Sequence, residues 1–171
     1  MNTATVLQRC FGTIADVSSD RRRSKRVGAR DGTRILLVED SATVTTVLQR
    51  MLLQNHYATY PVVAAEDGVA LARRVRPHLI FLDIVLPGMN GFAALELLRA
   101  DALTRNIPII LMSGSERVTR QFHAGHFDAD DFMKKPFSRW DVFSRIERLL
   151  GPDHVIGRAS MQTLHGTAQS A

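Results

Sequence analysis

From Arg34 onward short apolar runs alternate with amphipathic stretches, the pattern of a parallel sheet flanked by helices. Residues 35–38 read as a first strand. Ser41 can cap a helix on which Val44, Val47, Leu48, Met51 and Leu52 form one buried stripe, running out near Asn55. Residues 57–60 read as a short second strand, which Pro61 is expected to end. An Ala-rich stretch over 63–75 predicts a second helix, although Glu66-Asp67-Gly68 has the look of a turn and leaves an alternative register open. Residues 79–83 are a continuous apolar run ending in an acid, as expected of a central strand buried on both faces.

After a loop over 86–91, residues 92–99 predict a third helix with Phe92, Leu95 and Leu98 on one side. Residues 107–112 predict the fourth strand, and Ser113-Gly114-Ser115 leads into a fourth helix reaching Ala124. Residues 132–134 make a short fifth strand, and Lys135-Pro136 turns the chain. Ser138 and Asp141 fit a capping box, with Trp140, Phe143, Ile146 and Leu150 as the apolar stripe of the last helix. Five strands and five helices in alternation predict an α/β fold, a doubly wound five-stranded parallel sheet in the flavodoxin-like order 2-1-3-4-5.

The pattern fails at both ends. Residues 1–32 form a basic arm and 151–171 a tail, both expected to be flexible, which leaves 33–150 as the folded domain. Net charge is +5, but residues 1–30 carry seven Arg and Lys against two Asp, while 31–150 carry fourteen of each sign. The body is therefore neutral, and nucleic-acid binding by it is not expected. Val6, Leu7, Cys10, Phe11, Ile14 and Val17 recur at helical spacing before Arg21-Arg22-Arg23-Ser24-Lys25-Arg26, a combination that can lie on an anionic membrane or touch nucleic acid. The alternation of strands and helices from Arg34 onward needs nothing from this arm. Cys10 is the only cysteine, which excludes an internal disulfide framework. With no apolar run long enough to span a bilayer and no signal-peptide pattern, a cytoplasmic location is expected.

In a doubly wound sheet ligands bind beyond the carboxyl ends of the strands, where the order reverses. Glu39 and Asp40 follow the first strand and Asp83 ends the third, so adjacency of these strands makes the three carboxylates converge. Clustered negative charges raise each other's pKa unless a cation is present, and magnesium suits an all-oxygen donor set next to a phosphoryl group. A carboxylate so held can attack a phosphoryl donor and become an acyl phosphate, with Asp83 best placed as nucleophile. Ser113 offers a hydroxyl and Lys135 an ammonium to the oxygens of the transferring phosphate. Pro136 can hold a cis peptide bond that aims the lysine inward. His123 and His126, with Asp128, Asp130 and Asp131 nearby, can be imagined as a transition-metal site, but exposed helix-end residues are the expected reading.

Four blocks carry a family resemblance. Ile35-Leu36-Leu37-Val38-Glu39-Asp40-Ser41, Phe81-Leu82-Asp83-Ile84-Val85-Leu86-Pro87-Gly88-Met89-Asn90-Gly91, Leu111-Met112-Ser113-Gly114 and Asp130-Asp131-Phe132-Met133-Lys134-Lys135-Pro136-Phe137 resemble the signature blocks of response-regulator receiver domains, in order over residues 33–150. Residues 67–92 are especially similar to single-domain regulators of type IV pilus twitching motility, and the ungapped alignment favours the helical register over 63–75. The resemblance implies that Glu39, Asp40, Asp83 and the Val85 backbone carbonyl bind Mg2+, and that Asp83 is the phosphoacceptor from a histidine kinase or phosphotransfer protein. It further implies that Ser113 and Lys135 sense the phosphate, and that Phe132 is the switch aromatic. The expected protein target would use the fourth helix, fifth strand and fifth helix, including Arg117, Arg120, Gln121, Arg139 and Arg145.

Three residues depart from the family pattern. Phe132 stands where tyrosine is frequent and has no hydroxyl, so its switching should rest on packing. Asp128 stands where glycine is usual, so the backbone before the fifth strand should differ. Val85 has no polar side-chain group to orient a water, which predicts slow self-dephosphorylation. The expected function is that of a stand-alone phosphorelay signalling protein and not an enzyme with a separate substrate. The alternative is a non-phosphorylated anchor acting through the basic arm.

Overall fold

The computed structural model describes residues 32–125 and 127–151. Residues 1–31 of the arm, Cys10 among them, residues 152–171 of the tail, and His126 lie outside the described residues, and with them the expectations about arm function. Five strands, β1 (Arg34–Val38), β2 (Ala58–Val62), β3 (Leu79–Asp83), β4 (Ile109–Ser113) and β5 (Asp131–Lys134), alternate with five helices. The helices are α1 (Ala42–Leu53), α2 (Ala65–Val75), α3 (Gly91–Ala100), α4 (Glu116–Ala124) and α5 (Arg139–Leu150). All strand pairs are parallel and the order is β2-β1-β3-β4-β5, the order expected of this fold class.

Alternation along the strands sorts side chains onto two cores. Ile35, Leu37, Phe81, Met112 and Met133 face α1 and α5, meeting Leu48, Met51, Phe143 and Ile146. Leu36, Val38, Ile80, Leu82 and Leu111 face the opposite layer, meeting Ala72 from α2, Leu95 and Leu98 from α3, and Val118 from α4. β3 and β4 are buried along their whole length, which is why they read as unbroken apolar runs. Each fully buried Leu or Ile contributes about 1.5–3 kcal/mol of transfer free energy, so these central strands hold the frame on which the site is built.

Four local expectations need correction or sharpening. β2 does not stop at Pro61 but runs through it, with Pro61 opposite Leu37. β2 is the edge strand, and a proline there removes no bond that an outer neighbour would need. Glu66-Asp67-Gly68 lies inside α2, so the turn alternative is wrong. Gly68 is there for proximity: a Cβ would sit 2.7 Å from the Val38 side chain. Trp140 is 75% exposed, while Val142 joins Phe143, Ile146 and Leu150 in the α5 stripe. At 3.6 residues per turn Trp140 falls roughly a third of a turn from the centre of that stripe. The predicted capping box is formed, Ser138 accepting from the Asp141 N–H while the Asp141 carboxylate accepts from the Ser138 N–H at 2.8 Å.

Candidate functional site

The strand registers deliver the site residues to one edge of the sheet. Val38 pairs with Leu82, so Glu39 and Asp83 follow side by side on β1 and β3. Asp83 pairs with Met112 and Ser113 with Lys134, which sets Ser113 and Lys135 one step further on along β4 and β5. Glu39, Asp40 and Asp83 can each offer a carboxylate oxygen within 4.8 Å of the others. Glu39 and Asp83 are buried, whereas Asp40 is exposed and forms the open side of the cluster.

The Lys135 ammonium enters from the opposite side. It donates to Asp83 Oδ2 at 2.7 Å and to Glu39 Oε2, and the Lys135–Pro136 peptide is cis. The other Asp83 oxygen, Oδ1, accepts the Val85 N–H at 3.2 Å, while Glu39 Oε1 accepts the Ser41 N–H at 3.1 Å. Burial pushes the Glu39 carboxyl above its ordinary range, opposed by Lys135 and reinforced by the neighbouring Asp83 charge. One ammonium thus faces three carboxylates. That excess of negative charge, together with an all-oxygen donor set open at Asp40, fits a hard divalent cation such as magnesium.

Ser113 is fully buried, and its Oγ accepts the Ser115 N–H at 3.1 Å. The α4 cap is Ser115, whose side chain accepts from the Val118 N–H. Lys134 is exposed and ion-paired with Glu116 at the start of α4, and this carboxylate is held below its ordinary range mainly by that hydrogen bond.

Phe132 is half-buried and belongs to a stack of rings. Its centroid lies 4.8 Å from Phe122 at 20°, Phe122 lies 6.1 Å from Phe127 at 11°, and Phe127 lies 4.1 Å from Phe92 at 17°. His123 meets Phe132 edge-on at 5.7 Å. Among the described residues only Glu39, Asp40 and Asp83 are grouped to hold a metal, and His123 belongs to this aromatic stack.

The expected partner face divides. Arg117, Arg120 and Gln121 are exposed on α4. Arg145 is engaged with Asp131 at 3.0 Å and donates to the Asp141 carbonyl. Arg139 turns toward α1 instead, donating to Gln54 Oε1 at 3.0 Å with its guanidinium 4.6 Å from the Phe143 ring centroid. Six residues along a helix separate the faces that Arg139 and Arg145 occupy.

Sequence reasoning passed over Arg99. Its side chain is 8% exposed and donates to the Asp128 carbonyl, the Ile107 carbonyl and Asp130 Oδ2, at 2.8, 2.8 and 2.6 Å. A basic residue in the last turn of α3 is unremarkable as a sequence signal; these acceptors are brought together only by the fold. Among described non-glycine residues only His56 and Arg76 have positive φ, so Asp128 fills the glycine position without left-handed backbone.

This fold with a carboxylate cluster and opposed lysine at its carboxyl edge defines a receiver module. The chain belongs to the response regulator receiver domain family, whose model matches residues 35–147. It is 35% identical over 117 residues to protein PilH of Pseudomonas aeruginosa, covering 68% of this chain and 97% of that protein. It is 32% identical to the cell cycle transcriptional regulator CtrA of Caulobacter vibrioides, but spans only 50% of that protein's length. Among solved structures it is similar to the receiver domain of the sensor histidine kinase PA1611 from Pseudomonas aeruginosa, crystallised with magnesium coordinated in its active-site cleft. That likeness has a TM-score of 0.65 at 32% identity, covering 70% of this chain and 98% of that one. The family and the acidic site together imply phosphorylation-dependent signal transduction. No helix among the described residues is long and apolar enough to cross a membrane.

Proposed function

We propose that residues 33–150 act as a stand-alone receiver that takes a phosphoryl group from a histidine kinase or phosphotransfer protein onto Asp83 and then binds a partner differently. The observation that carries this reading is the single ammonium of Lys135, 2.7 Å from Asp83 and paired with Glu39 as well, set among the three clustered carboxylates of Glu39, Asp40 and Asp83. Glu39, Asp40, Asp83 and the Val85 carbonyl would hold magnesium, which when bound supplies positive charge to the oxygens of the incoming phosphoryl group.

An Asp83 oxygen attacks phosphorus; the P–N bond of the donor phosphohistidine breaks, its electron pair stays on the imidazole, and an aspartyl phosphate forms. Lys135, already oriented by its two carboxylates, moves its hydrogen bond to a phosphate oxygen as the Asp83 carboxylate gives up its charge on forming the acyl phosphate anhydride. The Ser113 hydroxyl, released from Ser115, supplies a second donor. That movement frees the β4–α4 loop, and Phe132 follows by leaving its stack on Phe122. α4, β5 and α5 then present a different surface to a protein target. Cytoplasmic location and placement beside PilH-type regulators follow from the same reading.

The test is acetyl phosphate with magnesium. Native protein should gain one phosphate in intact-mass measurement and Asp83→Asn none; labelling that persists in Asp83→Asn sinks the assignment.

A further inference from the structure

The loop over 84–90 leaves Asp83 and must return to α3 without disturbing the acceptor. It is tied at its start by the Ile84 N–H to the Met112 carbonyl at 2.9 Å and by the Val85 N–H to Asp83 Oδ1. Its end is tied by the Gly91 N–H to the Ile84 carbonyl at 3.0 Å and by Asn90, whose side chain caps α3. Its middle is held from another element. Glu66, in the first turn of α2, accepts the Met89 N–H on Oε1 at 3.1 Å, a contact between residues 23 apart in sequence.

The same oxygen lies 3.1 Å from where a Cβ at Gly88 would stand, and Gly88 has φ of 73°. The loop therefore turns back at a position only glycine adopts easily, directly against the Glu66 carboxylate. α2 is itself seated on β1, through the close approach of Gly68 to Val38, the residue before Glu39. Glu66 thus connects the strand end that carries Glu39 to the loop that carries Val85.

We propose that Glu66 is a positioning residue for phosphoryl transfer, holding the 84–90 loop by accepting the Met89 N–H so that Val85 keeps its place beside Asp83. It touches no reacting atom. The inference rests on Asp83 being the acceptor, as proposed above.

Initial rates of labelling by acetyl phosphate at saturating magnesium, with KM and maximal rate separated and Tm recorded, test it in the full-length protein. Glu66→Ala should lower the maximal rate about fivefold, the scale of one hydrogen bond, at unchanged Tm. Glu66→Gln keeps an acceptor oxygen at the same reach and should restore the rate. Glu66→Asp keeps the charge, loses the reach and should stay slow. An unaffected Glu66→Ala, a slow Glu66→Gln beside a normal Glu66→Asp, or rate losses that track Tm would each overturn the inference. Native protein that takes no phosphate on Asp83 overturns the parent reading and this one with it; native labelling with Glu66→Ala unaffected overturns this one alone.

Discussion

Lys135 donates to Asp83 Oδ2 at 2.7 Å and to Glu39 at the same time, so one cation joins residues at the ends of β1, β3 and β5. Its loss leaves two buried carboxylates facing each other. Lys135→Met should cost about 2–3 kcal/mol in metal-free buffer, less than a fully buried pair because Lys135 keeps some contact with solvent. Chemical denaturation checks this, and recovery of part of the loss on adding magnesium is expected because the added cation replaces the missing charge.

Magnesium itself should raise the Tm of the native protein. At a concentration of 100 Kd the gain is about 2.7 kcal/mol, several degrees for a domain of this size. Asp40→Asn removes a ligand from the exposed side of the cluster without burying anything new. It should leave the metal-free Tm near native and shift the magnesium titration to higher concentration; a native-like titration would remove Asp40 from the site.

Val85 is 54% exposed and apolar, two residues beyond Asp83, the proposed acceptor. With no side-chain group there to orient an attacking water, the phosphorylated protein should lose its label slowly. Decay within seconds would count against this account. Val85→Asn should speed the decay, measured by chasing labelled protein after removal of the donor.

The ring stack from Phe92 through Phe127 and Phe122 reaches Phe132, the proposed switch residue, which has no hydroxyl and is held there by packing. Phe122→Leu should destabilise the protein by about 0.5–1.5 kcal/mol through the lost ring pair. It should also reduce the difference in Phe132 chemical shifts between unphosphorylated and phosphorylated protein. Full retention of that difference would show that the stack does not hold the switch.

Asp141 closes the capping box of α5, and hydrogen bonds from the Ser138 side chain and backbone hold its carboxyl below the ordinary range. A depressed folded-state pKa contributes stability that is present above the unfolded-state value and is lost as pH falls through the folded one. Ser138→Ala should therefore raise the Asp141 pKa in an NMR titration, narrow that acid-side stability loss, and cost about 1 kcal/mol at neutral pH.

Much of this protein could be read before its fold was known. Hydrophobic period and strand length located β1, β3 and β4, because strands buried on both faces must be apolar throughout. Acids at two strand ends and a lysine beyond a third indicated a site, because ligand chemistry on such a sheet gathers at its carboxyl edge. Pro61 misled local reading and Gly68 left a turn open as an alternative, since an edge position tolerates the first and close helix–strand contact requires the second. Residue type also said nothing of where Trp140 and Arg139 point, which depends on the rotation of α5 against the sheet.

The sequence alone determined the alternation of elements and the residue types at their ends, because both follow from local period and local chemistry. Only the tertiary structure decided which of those residues meet. Lys135 reaches carboxylates 52 and 96 residues away, Arg99 finds acceptors in two other segments, and Glu66 reaches the loop after Asp83. Such pairings depend on strand order and register, which no stretch of chain encodes locally and which the two packed cores select together.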